Sequence, residues 1–441
     1  MNENVPAKNS ESRGVLYALL LLLPTFVGAP VQLYLVFAFV VLFLERDRVV
    51  SFARNFRKAP FQKSNRLVWL VGLILVFSLI NKVFNGHAIY SLRDYYAPFY
   101  LFPLLIAASA LAYSQRFFKV LIFIVAFESF FGFAEYATGM RSFFMNLGDS
   151  GVIVDYGTFY NSRVYGLSAN SSILAQKLFL AFVLIDFVRL SKFWEWTLRV
   201  ILFLALLITF SRIAVVVLLV YWSVTFLIGI IQVKANSWKS PNLQFKALVL
   251  VSALVFITPL KNQLTRDGHD AESAFESEDA SSAKKILLNT NALKMSKGET
   301  DPALQGLGDR IMTSAEGIQS SGRKLIWLNY INFIEEKPLF GNGSDKLMFY
   351  KYSSAFKDFK LIHAHNSYLQ LIASNGIIIS LLYLLFYILL FRAKNFLALG
   401  AILLYCLGNY GIFYGFSSMD VIFLILLMYP LTVNYDHARE S

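Results

Sequence analysis

The sequence predicts an all-α polytopic membrane protein with about twelve transmembrane helices, on the strength of its composition, its spaced apolar runs and the placement of its basic residues. Of 441 residues, 57% are hydrophobic and only 15% charged. A water-soluble chain carries roughly 25% charged residues, so the apolar surplus needs lipid to face. A soluble multidomain enzyme is excluded on that ground.

Apolar runs recur at 15–44, 67–83, 98–113, 117–137, 169–188, 198–210, 213–231, 247–260, 368–391, 396–414 and 421–433. Crossing a hydrocarbon core of ~30 Å takes about 20 helical residues. The first run is therefore too long for one span and reads as a hairpin broken near Pro24 to Pro30, which brings the number of spans to twelve. A cleaved signal peptide over 15–29 is the rival reading; the chain stays apolar straight after Pro30, which argues against it.

The basic residues orient these spans. With the N-terminus inside, segments 1–15, 45–66, 114–119, 189–199, 232–246, 392–395 and the tail hold 20 of the 40 Lys and Arg. The opposite short loops hold only Arg93, Arg141, Arg163 and Arg212. That asymmetry places both termini in the cytoplasm. It also makes the net charge of +12 a topology signal, spread over cytoplasmic loops, and gives no nucleic-acid face. The lone Cys406 excludes an internal disulfide and a multi-thiolate metal site.

The chain then divides into a bundle of spans one to nine over 1–260, a long external loop over 261–366, and spans ten to twelve with a cytoplasmic tail over 367–441. The loop opens polar and acidic, as a solvated stretch does. Further on, Ser320 or Ser321 is a suitable cap for an amphipathic helix over about 321–336. Its apolar residues Ile326, Trp327, Tyr330, Ile331 and Ile334 recur at helical spacing, and Pro338 ends it. Such a helix lies on the membrane or roofs the bundle. Arg323 falls in its first turn, where the helix dipole disfavours a cation; a solvent-facing arginine beside Lys324 and an arginine that joins the free N–H groups in meeting an anion are both open.

Two further external sites carry polar residues at span mouths. At 210–213 two spans meet with almost no loop, so Ser211 caps the second span and Arg212 opens it near the water–lipid boundary. Snorkelling to headgroups and anion binding at a helix terminus are both open to Arg212. Arg163 repeats the arrangement at the start of another span, and Arg141 sits at the other end of the same loop. After two turn glycines in LFGNG comes HAHNSYLQLIASNG, in which Asn366 or Ser367 caps the next span and leaves His365 just outside it. A positive helix end disfavours imidazolium, which suits a general base; a structural histidine at a helix start is the other reading. The pair His363 and His365 lacks an obvious third ligand, so no metal is expected. Within spans lie Lys82, Glu128, Glu135, Lys177 and Asp186; ion pairing of Glu128 and Glu135 with Lys82 or Lys177 is favoured over a proton relay.

The runs TFSRIAVVVLLV, SGRKLIW, KPLFGNG and HAHNSYLQLIASNGIIISLLYLL, in this order, resemble the O-antigen ligase superfamily, which includes O-antigen polymerases. RVYGLSANSSILA is similar to that family's earlier arginine pattern, without the proline often found before the asparagine. The resemblance covers about 160–390. It implies a GT-C-like membrane glycosyltransferase that uses a glycan on undecaprenyl diphosphate, with Arg212 and Arg323 at the donor diphosphate and His365 activating the acceptor. Arg163 joins the diphosphate set, Ser211 and Asn366 support it, and His363 receives no role.

The chemistry is consistent with those roles. A diphosphate leaving group needs charge neutralisation more than protonation, and arginines supply it bidentately without metal or cofactor. Expected partners are the lipid-linked donor, a lipid A-core or glycan acceptor, and membrane lipids. Within the family the acceptor decides between ligase, polymerase and protein glycosyltransferase, and the overall pattern favours the ligase. From a different class, a glycolipid transporter or flippase also fits twelve spans; against it, no clear repeat relates the two halves and the polar cluster lies at one face instead of the midplane.

Overall fold

The computed structural model describes residues 8–26, 32–58, 66–85, 97–112, 114–138, 164–168, 171–209, 211–232, 245–249, 318–343, 364–392, 395–409, 411–412, 418–429 and 431. The described residues form helices α1 (Lys8–Phe26), α2 (Gln32–Leu44), α3 (Arg46–Lys58), α4 (Arg66–Phe84), α5 (Leu101–Leu111), α6 (Gln115–Thr138) and α7 (Ser171–Ile185). They continue as α8 (Lys192–Ile208), α9 (Arg212–Gln232), α10 (Ile318–Glu336), α11 (Ser367–Leu390), α12 (Phe396–Gly408) and α13 (Ser418–Met428). Among them there is no strand, so the all-α class holds.

Of these, α4, α6 and α11 are long and apolar enough to cross a membrane by length and composition. Helices α1, α2, α4 to α9 and α11 to α13 fall on eleven of the twelve expected spans; most of 247–260 lies outside the described residues. The first apolar run is divided as expected, although α1 runs through Pro24 before it ends at Phe26. Exposed Phe39, Phe43, Phe127, Leu381, Leu384 and Ile388 give these helices the apolar outer surface that lipid would cover.

Buried side chains from α1, α2, α4 to α9 and α11 to α13 form one continuous core. Close approach of helices needs small residues at the contacts. A Cβ added to Gly132 of α6 would stand in ordinary van der Waals contact with Leu174 of α7 and Ile208 of α8, at 3.9 and 3.8 Å. Gly408 of α12 lies directly against Ile213 of α9. These contacts bring the C-terminal ends of α6, α8 and α12 to one end of the bundle, together with the N-terminal ends of α7 and α9.

At the opposite end the ionisable residues are paired. Asp186 stands in the turn after α7 rather than within the span expected for it. It accepts from Arg199 at 2.8 Å, from Tyr221 at 2.8 Å and from Lys246 at 3.3 Å, all buried. Arg13 and Arg48 both bond Glu45, at 3.0 and 2.8 Å. Nearer mid-span, Glu128 pairs with Lys177 at 2.6 Å with both side chains buried, as the charge pattern predicts.

Candidate active site at one end of the bundle

His365 is the one non-glycine residue with positive φ among the described residues, at 49°. Left-handed backbone costs an L-residue about 1–2 kcal/mol, so its neighbours must impose it. On one side, Ala364 is fully buried; its N–H donates to Gln370 Oε1 at 2.7 Å and its carbonyl accepts from Trp327 Nε1 at 3.0 Å. On the other, Asn366 is the N-cap of α11, and its side-chain oxygen accepts from the N–H groups of Tyr368 and Leu369 at 3.0 and 3.1 Å. A half-buried imidazole is thus carried on a fixed turn at a helix N-terminus. The capping role expected of Asn366 is met. The sequence pattern marks neither Trp327 nor Gln370 as a support for Ala364: Gln370 lies one turn after the cap, and Trp327 reads only as part of the apolar face of α10.

Ser367 ties this turn to α12. Its Oγ donates to the carbonyl of Asn409 at 3.2 Å and accepts from Gly411 N–H at 2.9 Å. Gly408, one residue before, is the glycine seated on Ile213, the neighbour of Arg212. Ser211 occupies the N-cap position of α9, with its carbonyl accepting from Val215 N–H at 3.1 Å. The backbone carrying Arg212 and that carrying His365 therefore meet through the end of α12. The side chain of Arg212 is outside the described residues, as is that of Arg323.

Helix α10 roofs this end. Ile326, Tyr330 and Phe333 are buried with Ala364 and Ala373, and Trp327, Ile334 and Leu369 pack around them. The expected face is corrected in one place: Ile331 is 41% exposed and off this face, whereas Phe333, three residues after Tyr330 and seven after Ile326, belongs to it. The N-terminus is corrected too. Helix α10 begins at Ile318, so Ser320 and Ser321 are helical and Arg323 belongs to the second turn, beyond the free N–H groups. Arg323 still lies one helical turn before Trp327, on the same side of α10, and Trp327 is the residue bonded beside His365.

The turn after α10 locks the roof down. Gly341 and Gly343 have φ of 69° and 87°, the backbone expected of LFGNG. The turn packs against a break in α11 at Gly376, where φ is 76° and ψ 175°. Asn342 N–H donates to Ala373 O at 2.9 Å, Gly343 N–H to Ser374 O at 2.8 Å, and Ile377 N–H to Pro338 O at 2.8 Å. From α4, Lys82 Nζ donates to Gly343 O at 2.5 Å, Asn81 to Ser374 O at 3.1 Å and Asn85 to Gly341 O at 3.1 Å. Lys82, one of the two lysines considered as partners for Glu128 and Glu135, bonds this turn.

Glu128 and Glu135 share a face of α6 and both grip the segment that follows position 163. Ser168 Oγ donates to Glu128 at 2.6 Å. Glu135 Oε2 accepts from the N–H groups of Tyr165 and Gly166, each at 2.8 Å. Glu135 is thus held in a backbone cradle. Val164 is buried beside Gly132 at the same end of the bundle. Arg163 itself, Arg141 and His363 lie outside the described residues, as do 261–317 and the tail from 432.

Residues 197–384 match a family model described as O-antigen ligase. The match covers 188 of the 441 residues and supports a likeness to the O-antigen ligase superfamily. The matched stretch runs from α8 into α11, so it contains Ser211, Arg212, Arg323, His365 and Asn366, while Arg163 precedes it. None of the curated proteins matches the chain. The match supports an O-antigen ligase- or polymerase-like membrane enzyme.

Proposed function

We propose that this protein is a member of the O-antigen ligase superfamily and an inverting, metal-independent glycosyltransferase of the bacterial inner membrane. It moves a glycan from undecaprenyl diphosphate to a lipid A-core acceptor at the periplasmic face, as an O-antigen ligase. Twelve spans of GT-C-like arrangement carry the site, both termini lie in the cytoplasm, and 261–366 is periplasmic. His365 is the base: the acceptor oxygen attacks the anomeric carbon, its proton passes to the imidazole, and the bond from that carbon to the diphosphate oxygen breaks. Arg212 and Arg323, joined by Arg163, take up the charge that grows on the leaving diphosphate. Ser211 and Asn366 hold the helix ends on which Arg212 and His365 stand.

The observation that carries this reading is the junction of three helix ends with a roof. His365 sits in left-handed backbone between Trp327-bound Ala364 and capping Asn366, and Ser367 joins it through Asn409 and Gly408 to the start of α9. Strained backbone held by surrounding bonds is concentrated at functional sites.

Deletion of the gene in its host tests the assignment. Loss of a ligase leaves rough lipopolysaccharide and accumulated lipid-linked polymer, and complementation with His365→Ala fails to restore the smooth form. A single repeat on the core after deletion would transfer the reading to a repeat-unit polymerase. Translocation of labelled lipid-linked glycan by reconstituted protein, with no new glycosidic bond, would replace both with a glycolipid transporter.

A further inference from the structure

We propose that helix α3, at the end of the bundle opposite His365, is a surface helix that docks on anionic phospholipid headgroups. The lipid-facing side of α2, with Phe39 69% and Phe43 72% exposed, leads straight into α3 through Glu45. That carboxylate fixes the root of α3: Arg48 Nε bonds Glu45 at 2.8 Å, Arg48 Nη1 donates to Ser109 O of α5 at 3.0 Å, and Arg13 of α1 bonds Glu45 at 3.0 Å. The helix is therefore anchored where the apolar surface of α2 ends.

Beyond the root, α3 has the pattern of a helix lying in a membrane interface. Positions 49, 52, 53 and 56, occupied by Val, Phe, Ala and Phe, share one helical face. Val49 packs against the core, whereas Ala53 is exposed, so the apolar stripe starts on the bundle and runs off it. Its sequence RDRVVSFARNFRK holds five basic residues and one acid. Arg54, Arg57 and Lys58 are exposed and, among the described residues, meet no carboxylate. A charged, apolar-striped helix that begins at the edge of a lipid-facing surface matches a layer that is anionic outside and apolar beneath.

Each basic residue near an anionic leaflet strengthens docking about fivefold, so Arg54, Arg57 and Lys58 together contribute about 100-fold. The test uses full-length protein in lipid nanodiscs, with Cys406→Ser to remove the only cysteine and Ala53→Cys to carry an environment-sensitive fluorophore. In phosphatidylcholine discs containing phosphatidylglycerol, the emission shifts to the blue and an aqueous quencher loses access. Both effects vanish in pure phosphatidylcholine, in R54Q/R57Q/K58Q, and in the parent at high salt. The salt arm keeps the test decisive even if the triple variant misfolds. Equal quenching in the two lipids overturns the proposal, whether the fluorophore stays in water in both or is protected in both without regard to charge.

Discussion

Replacing Gly376 by alanine is expected to lower glycan transfer about 100-fold while leaving membrane insertion intact. The added Cβ would lie 2.5 Å from Gly341 N, and it would also meet the carbonyl of Leu339. Ordinary contact begins near 3.4 Å, so the turn over 338–343 must retreat by about 1 Å. The φ of 76° and ψ of 175° at this position belong to a region used almost only by glycine, adding about 1–3 kcal/mol of strain. Retreat of the turn weakens the bonds from Asn342, Gly343 and Ile377 that hold α10 over His365. A displacement of about 1 Å in positioning structure costs about 100-fold in rate even when it originates away from the chemistry. The assay is transfer from lipid-linked glycan in membranes, normalised to the amount of inserted protein. Gly400→Ala is the matched control, because a Cβ there meets nothing within 4 Å. Transfer by G376A at more than half the parent rate would refute the idea that this interlock positions the roof.

Other consequences can be measured separately. Asn366→Ala removes an acceptor of two helix-end N–H groups and should cost about 1 kcal/mol of stability along with most transfer, whereas Asn366→Asp keeps the cap and restores the thermal midpoint in detergent. Trp327→Phe keeps the ring in the buried cluster but deletes its bond to Ala364, so steady-state kinetics should show kcat falling about tenfold with the expression level unchanged. Glu128→Gln leaves Lys177 buried without its anion and should destabilise the protein by about 3–5 kcal/mol in chemical denaturation; adding Lys177→Met should recover much of that loss. Glu135→Ala opens the cradle around Tyr165 and Gly166, and limited proteolysis should then cut near 165 faster than in the parent.

Local patterns in the sequence predict much of this arrangement. Hydropathy separates α6 from α7 and α11 from α12, and an asparagine before an apolar run marks the cap at Asn366. The glycines of LFGNG announce the positive φ at 341 and 343. What the sequence leaves hidden depends on partners far along the chain. Gly343 meets Lys82 across 261 positions, and Trp327 meets Ala364 across 37. The Asn375-Gly376 pair is a local sign of a break, but the turn that requires this φ follows another helix, α10. Glu135 shows the same limit: an intramembrane carboxylate suggests a cation, yet two backbone N–H groups also satisfy it. Placement of Arg323 in the first turn of α10 erred because Ser320 and Ser321 offered good caps one turn inside a helix that starts at Ile318.

Cooperation of His365, Arg212 and Arg323 on one substrate is most directly measured with purified protein, a defined lipid-linked glycan donor and a lipid A-core acceptor. The account predicts that His365→Ala still binds donor but forms no glycosidic bond, that Arg212→Ala and Arg323→Ala each lose donor affinity and turnover, and that the double arginine variant is scarcely worse than either alone. Turnover by His365→Ala near the parent rate, or fully independent effects of the two arginines, would contradict it.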